Sequence, residues 1–296
     1  MTDKSKIIGH LAAVFTIIIW GTTFISTKIL LEGFLPVEIL FFRFVIGYTA
    51  LLLLYPKKLK VTDRKHEPVF VFAGLCGICL YYLLENIALT FTFASNVGVI
   101  MSTAPFFTAI LSHLFFISEE KLRLRFFIGF VCAMVGIIFI SYNGMKFTLD
   151  PLGDFLALSA ALVWACYSLL VRKISKMGYP VFLSTRRTFF YGIIFMIPAA
   201  WFSDFRLDLF RFTHSIYLFN MIFLGLGASA FCFVTWNFAV RELGTVKTSV
   251  YIYLVPVITV FTSALVLKER LTALMGIGAA LTLAGLILSE QKAGKK

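Results

Sequence analysis

The chain has 296 residues, 60% of them hydrophobic and only 14% charged, with mean hydropathy +0.93 and a formal net charge of +12. That balance excludes a soluble globular domain, and the basic surplus is scattered over short segments rather than gathered on one platform, which excludes a nucleic-acid partner. The environment implied is a lipid bilayer.

Apolar stretches of about 20 residues recur from end to end, each long enough to cross a hydrocarbon core of roughly 30 Å. In chain order they predict ten spans over 7–28, 36–55, 68–89, 95–117, 125–143, 152–171, 180–201, 216–238, 245–267 and 272–290. The first carries the Trp20-Gly21 pair and ends at Lys28. Its length and the lack of a small-residue cleavage site separate it from a signal peptide. Pro36 opens the second span, which places Arg43 seven residues in, about 10 Å deep at 1.5 Å per residue. A mid-span arginine costs on the order of 2.5–3.5 kcal/mol on insertion scales, so it must face the bundle interior or a wet cavity. Two roles fit it: a substrate contact, or a tether to carbonyls or a carboxylate.

Glu85, near the outer end of the third span, lies at a depth comparable to Arg43 and is its natural partner. It suits pairing with Arg43, binding a cationic group, or taking up a proton. Cys76 and Cys79 form a C-x-x-C in mid-helix, without the context of a redox fold, and read as small packing residues. Pro105 in the fourth span removes an amide bond and kinks the helix, with Ser102 and Thr103 at hand for the freed groups. His113 near that span's inner end titrates near neutrality, which makes it a proton relay or a hydrogen-bonded structural residue. In the fifth span, Gly129 and Gly136 sit on one face, as helix packing requires.

The second half repeats the first. Trp20, Lys28, Pro36 and Arg43 recur 144 positions later as Trp164, Arg172, Pro180 and Arg187. Asn86, Ala88 and Pro105 recur 151 later as Asn237, Ala239 and Pro256, and Gly129 and Gly136 recur 149 later as Gly278 and Gly285. The natural division is a first repeat over 1–146 and a second over 147–296, five helices each. An odd number of spans inverts one copy against the other. The fold class is therefore an all-α integral membrane protein of two inverted five-helix repeats, the architecture of alternating-access carriers. The counterpart of Glu85 is Trp236, so Arg187 has no evident acid partner and suits a substrate carboxylate or phosphate, or snorkelling to the inner surface. Trp20 and Trp164 are expected to face each other, with tyrosines 48, 81, 82, 167, 191, 251 and 253 as further cavity-wall candidates. Paired kinks at Pro105 and Pro256 suggest gates.

Of the 27 Lys and Arg, 20 fall in alternate segments, against six on the opposite side (Lys28, Lys146, Arg206, Arg211, Lys268 and Arg270). Arg43 is the remainder. This asymmetry orients both termini to the cytoplasm. There is no metal-ligand spacing, phosphate loop or nucleophile–base arrangement, so neither a cofactor nor a metal is expected, and an enzyme is disfavoured.

The Trp-Gly pair, the second-span Arg, ENIALTFTFASNVGVIMSTAP from Glu85 to Pro105, and Glu119-Glu120-Lys121-Leu122 strongly resemble the EamA-type drug/metabolite transporters. The second half offers Trp236-Asn237-Phe238-Ala239-Val240 through Pro256 and Lys268-Glu269-Arg270-Leu271, although Trp164 is followed by Ala165 in place of the glycine. The resemblance implies a transporter of a small polar or amphipathic metabolite such as an amino acid. It would act as an exporter in a bacterial inner membrane, as monomer or homodimer, with Trp20, Arg43, Glu85, Trp164 and Arg187 nearest the substrate. Proton coupling falls to Glu85 or His113. The alternatives are a flippase for lipid-linked headgroups and, further off, a membrane-embedded enzyme.

Overall fold

The computed structural model describes residues 3–91, 94–115, 124–141, 150–203, 205–266 and 273–290. Among them there is no strand. The first half runs α1 (Asp3–Leu31), α2 (Pro36–Leu54), α3 (Arg64–Phe91), α4 (Ala94–Met101 and Ala104–Phe115) and α5 (Leu124–Ser141). The second runs α6 (Pro151–Lys176), α7 (Val181–Trp201), α8 (Ser215–Leu243), α9 (Thr245–Ser249, Val250–Tyr253 and Leu254–Val266) and α10 (Ala273–Glu290). α1, α2, α3, α4, α6 and α8 are long and apolar enough to cross a membrane, and α5, α9 and α10 contain shorter apolar helices.

Each half leans on the other. α1 packs on α8 and α9, while its repeat image α6 packs on α3 and α4. α2 lies against a π-helical stretch of α8 (Phe223–Phe231), and α7 against the matching stretch of α3 (Leu75–Leu80). Neither π stretch was visible in the hydrophobic pattern, because a π turn inserts one residue without changing composition. The glycines explain the close approach. A Cβ on Gly74 would lie 2.7 Å from Thr188 O on α7, and one on Gly225 3.2 Å from Arg43 O on α2.

α5 and α10 form the tightest seam. A Cβ on Gly136 would fall 2.5 Å from Gly278 O, and one on Gly285 2.6 Å from Gly129 O. The seven-residue glycine spacing thus does what the sequence suggested, letting two backbones touch.

Cations close two helix ends at equivalent places. Lys28 Nζ donates to Leu89 O at the end of α3 (2.8 Å). Its repeat image Arg172 donates through Nη1 to Val240 O and Arg241 O at the end of α8 (3.3 and 3.0 Å). The terminal carbonyls of a helix lack intrahelical partners and carry partial negative charge, so a cation there stabilises both.

Candidate functional site

Trp20 and Trp164 meet as expected, with ring centroids 5.2 Å apart and planes at 83°. Together with Tyr81, Tyr82 and Glu85 of α3 they wall a cavity of about 40 Å³ between the halves. At roughly 10–15 Å³ per water, that is room for a few water molecules and no metabolite. Tyr81 packs on Trp164 (4.7 Å), and Trp236, which holds the Glu85 position in the second half, packs on Trp20 (5.1 Å).

The far wall is made where two helices break. A proline clashes with the carbonyl four residues before it and cannot donate an amide bond there. For Pro105 that residue is Met101, where the first segment of α4 ends, and for Pro256 it is Ile252, inside the 3-10 stretch of α9. Met101 and Ile252 both line the cavity. Hydroxyls settle nearby carbonyls: Ser102 Oγ donates to Gly98 O (2.9 Å), and Thr259 Oγ1 to Val255 O and Gly21 O (2.9 and 2.7 Å).

Arg43 and Glu85 are both deeply buried, at 1% and 3% exposure. They are not in direct contact. Arg43 Nε donates to Ser229 Oγ in the π stretch of α8 (3.0 Å), and its guanidinium lies over the Tyr82 ring, 4.2 Å from the centroid. Arg43 Nη2 and Glu85 Oε2 are each left without a hydrogen-bond partner, as are the indole nitrogens of Trp164 and Trp236. Buried polar atoms are rarely left unsatisfied in a folded core, and two of these four belong to residues that line the cavity, Glu85 and Trp164, which makes it the candidate site. Trp20 differs: its Nε1 donates to Ala228 O in the same π stretch (2.9 Å). Asn86 turns away, as its position on the helix requires, and donates to Pro36 O (3.2 Å).

Other sequence candidates lie elsewhere. Arg187 is not the unpartnered cation the sequence suggested. It bridges Glu67 (Nη2–Oε1 2.6 Å, Nε–Oε1 2.8 Å), to which Tyr191 also donates. Glu67 precedes the third predicted span, so the spacing of the repeats could not reveal it. The buried arginine is instead its neighbour Arg186, which donates to Tyr55 O and Lys57 O and ties α7 to the end of α2. His113 is exposed near the end of α4, away from the cavity. Of the remaining tyrosines, Tyr48 packs on Phe190, Tyr251 bonds to His10 (2.6 Å), and Tyr167 donates to Asn237 Oδ1 (3.0 Å).

One ionic cluster escaped the sequence. Glu38, third in α2, is 1% exposed and accepts from Leu35 N (2.8 Å), Arg206 N (3.0 Å) and both Nη atoms of Arg211 (2.7 and 3.1 Å). Arg211 also donates to Gly33 O (2.7 Å). Glu38 holds the Arg211 guanidinium above the ordinary arginine pKa, through its hydrogen bonds and charge. The pair fastens the α1–α2 turn to the α7–α8 connection and so closes that end of the bundle. The acid three residues after Leu35 was a legible helix-start signal. Its partner, more than 170 positions away, was not.

The sequence pattern of the EamA-like transporter family matches residues 7–142 and again 151–290, once in each half. The chain belongs to that family. An "Uncharacterized transporter" of Archaeoglobus fulgidus is 26% identical over 288 residues, covering 96% of this chain and 97% of its own length. "Uncharacterized transporter YdfC" of Bacillus subtilis is 25% identical over 279 residues, 94% of this chain and 89% of that one. A crystal structure 18% identical superposes with a TM-score of 0.75 over 97% of this chain and 96% of that one, a likeness of fold. This EamA-type chain is therefore a multi-pass membrane transporter.

Proposed function

We propose that this transporter is a secondary carrier that exports a small polar or amphipathic metabolite from the bacterial cytoplasm across the inner membrane. In this reading all ten helices span the bilayer, both termini are cytoplasmic, and the two five-helix halves are inverted. The halves rock about the aromatic cavity while the breaks before Pro105 and Pro256 bend alternately. The observation that carries the reading is Glu85: a buried carboxylate with an unpaired oxygen, in a cavity walled by helices of both halves. An acid in such a buried site exchanges a proton for a cationic partner, because either one avoids an unpaired buried charge. A volume of about 40 Å³ is too small for a metabolite, so in this reading substrate enters only when the halves part.

The test is proteoliposomes loaded with a pH-sensitive dye and challenged in turn with amino acids, amines, choline and sugars. At least one class is expected to drive protons through the purified carrier and to show counterflow of its labelled form. If no class moves protons or exchanges, the carrier reading is wrong.

A further inference from the structure

The cavity wall says more about the substrate than its membership of a carrier does. Its charge is one-sided. Glu85 lines it, whereas Arg43 is not a lining residue and lies over the ring of Tyr82, which is. A substrate arriving at this wall meets a carboxylate oxygen without a hydrogen-bond partner, and the rings of Trp20, Trp164 and Tyr81. It also meets one unpaired neutral donor, Trp164 Nε1. A carboxylate among aromatic rings is the complement of an ammonium group, which gains a charge-assisted hydrogen bond from the one and ring-face attraction from the others. A free anion would confront Glu85 with no cation on the wall to offset it. The single indole N–H complements a neutral acceptor such as a carbonyl or hydroxyl.

We infer that the transported compound is an organic cation: a primary ammonium on a partly apolar body that carries a neutral oxygen acceptor, not an anion and not chiefly a zwitterion. This deepens the carrier reading and rests on it. The ammonium takes the place of the proton on Glu85, so cation and proton move in opposite directions through one carboxylate. Arg43, held by Ser229 and Tyr82, positions α2 against α8 and keeps anions from being the favoured cargo only by staying off the wall.

Three probes of one ring size separate the charge classes: phenylalaninamide (cation with carbonyl), phenylalanine (zwitterion) and 3-phenylpropionate (anion). Binding to the purified full-length carrier is read by calorimetry. Phenylalaninamide is expected to bind tightest, phenylalanine more weakly, and phenylpropionate not at all. Glu85→Gln should weaken the amide by about tenfold to a hundredfold, the size of one charge-assisted hydrogen bond, while Glu85→Asp retains part of it. Thermal unfolding without ligand shows whether each variant is folded. Binding of phenylpropionate at least as tight as the amide, amide binding unchanged in folded Glu85→Gln, or no binding of the amide overturns the cation assignment. If another class still drives protons in the liposome assay, only the substrate class has failed. If none does, the carrier reading has failed with it.

Discussion

Glu85→Gln is expected to abolish the pH dependence of transport while counterflow at saturating substrate persists. The wild-type carboxylate accepts either a proton or the substrate's cationic group. Acid on the substrate side therefore places protons on Glu85 and suppresses uptake from that side, and raising the pH relieves the competition. The amide of Gln has nearly the same shape and binds no proton, so its rate should be flat with pH. Substrate then crosses down its own gradient, and an imposed proton gradient no longer accumulates it. Parallel pH–rate profiles of wild type and variant in proteoliposomes make the check. An unchanged pH response would move the coupling proton elsewhere, and His113→Gln would be the next variant, although that residue lies off the cavity.

The largest structural effect is expected at the α5–α10 seam. Gly136→Leu would put a side chain where a Cβ already falls 2.5 Å from Gly278 O and 2.6 Å from Thr282 N. These are backbone atoms with no rotamer to yield, so the helices must separate along the seam. The loss should reach about 3 kcal/mol or more, the upper end for overpacking. Thermal unfolding in detergent reads it, with Gly276→Ala on α10 as the control, since its Cβ would meet nothing within 4 Å. A Leu variant as stable as that control would show that the seam is looser than these contacts imply.

The limits of the sequence follow from what each signal physically encodes. Length and hydropathy set the helices, since a bilayer of fixed thickness demands apolar runs of fixed length. Repeat spacing brought Trp20 and Trp164 into register, and the prolines foretold breaks whose freed positions, Met101 and Ile252, turn out to line the cavity. Pair contacts were harder. Arg43 was matched to Glu85 on depth and charge alone, but depth does not give the angle around a helix axis, and Arg43 turns to Ser229 and Tyr82 instead. Arg187 had no evident acid partner because the second-half counterpart of Glu85 is Trp236, yet Glu67 reaches it from outside the repeat pattern. The π stretches in α3 and α8 were invisible for the same reason: backbone hydrogen-bond register leaves no mark on composition.

The central claim is that one cavity between the halves opens to each side of the membrane in turn. It is tested most directly by placing a single cysteine at Thr23, on the cavity wall, in a background free of the five native cysteines. A second variant with its cysteine at Lys60 fixes the sidedness. The account predicts that a membrane-impermeant thiol reagent labels position 60 only from the cytoplasmic face, and position 23 from either face, with bound substrate slowing both of the latter reactions. Labelling of position 23 from one face only, under every substrate and pH condition, would contradict alternating access at this site.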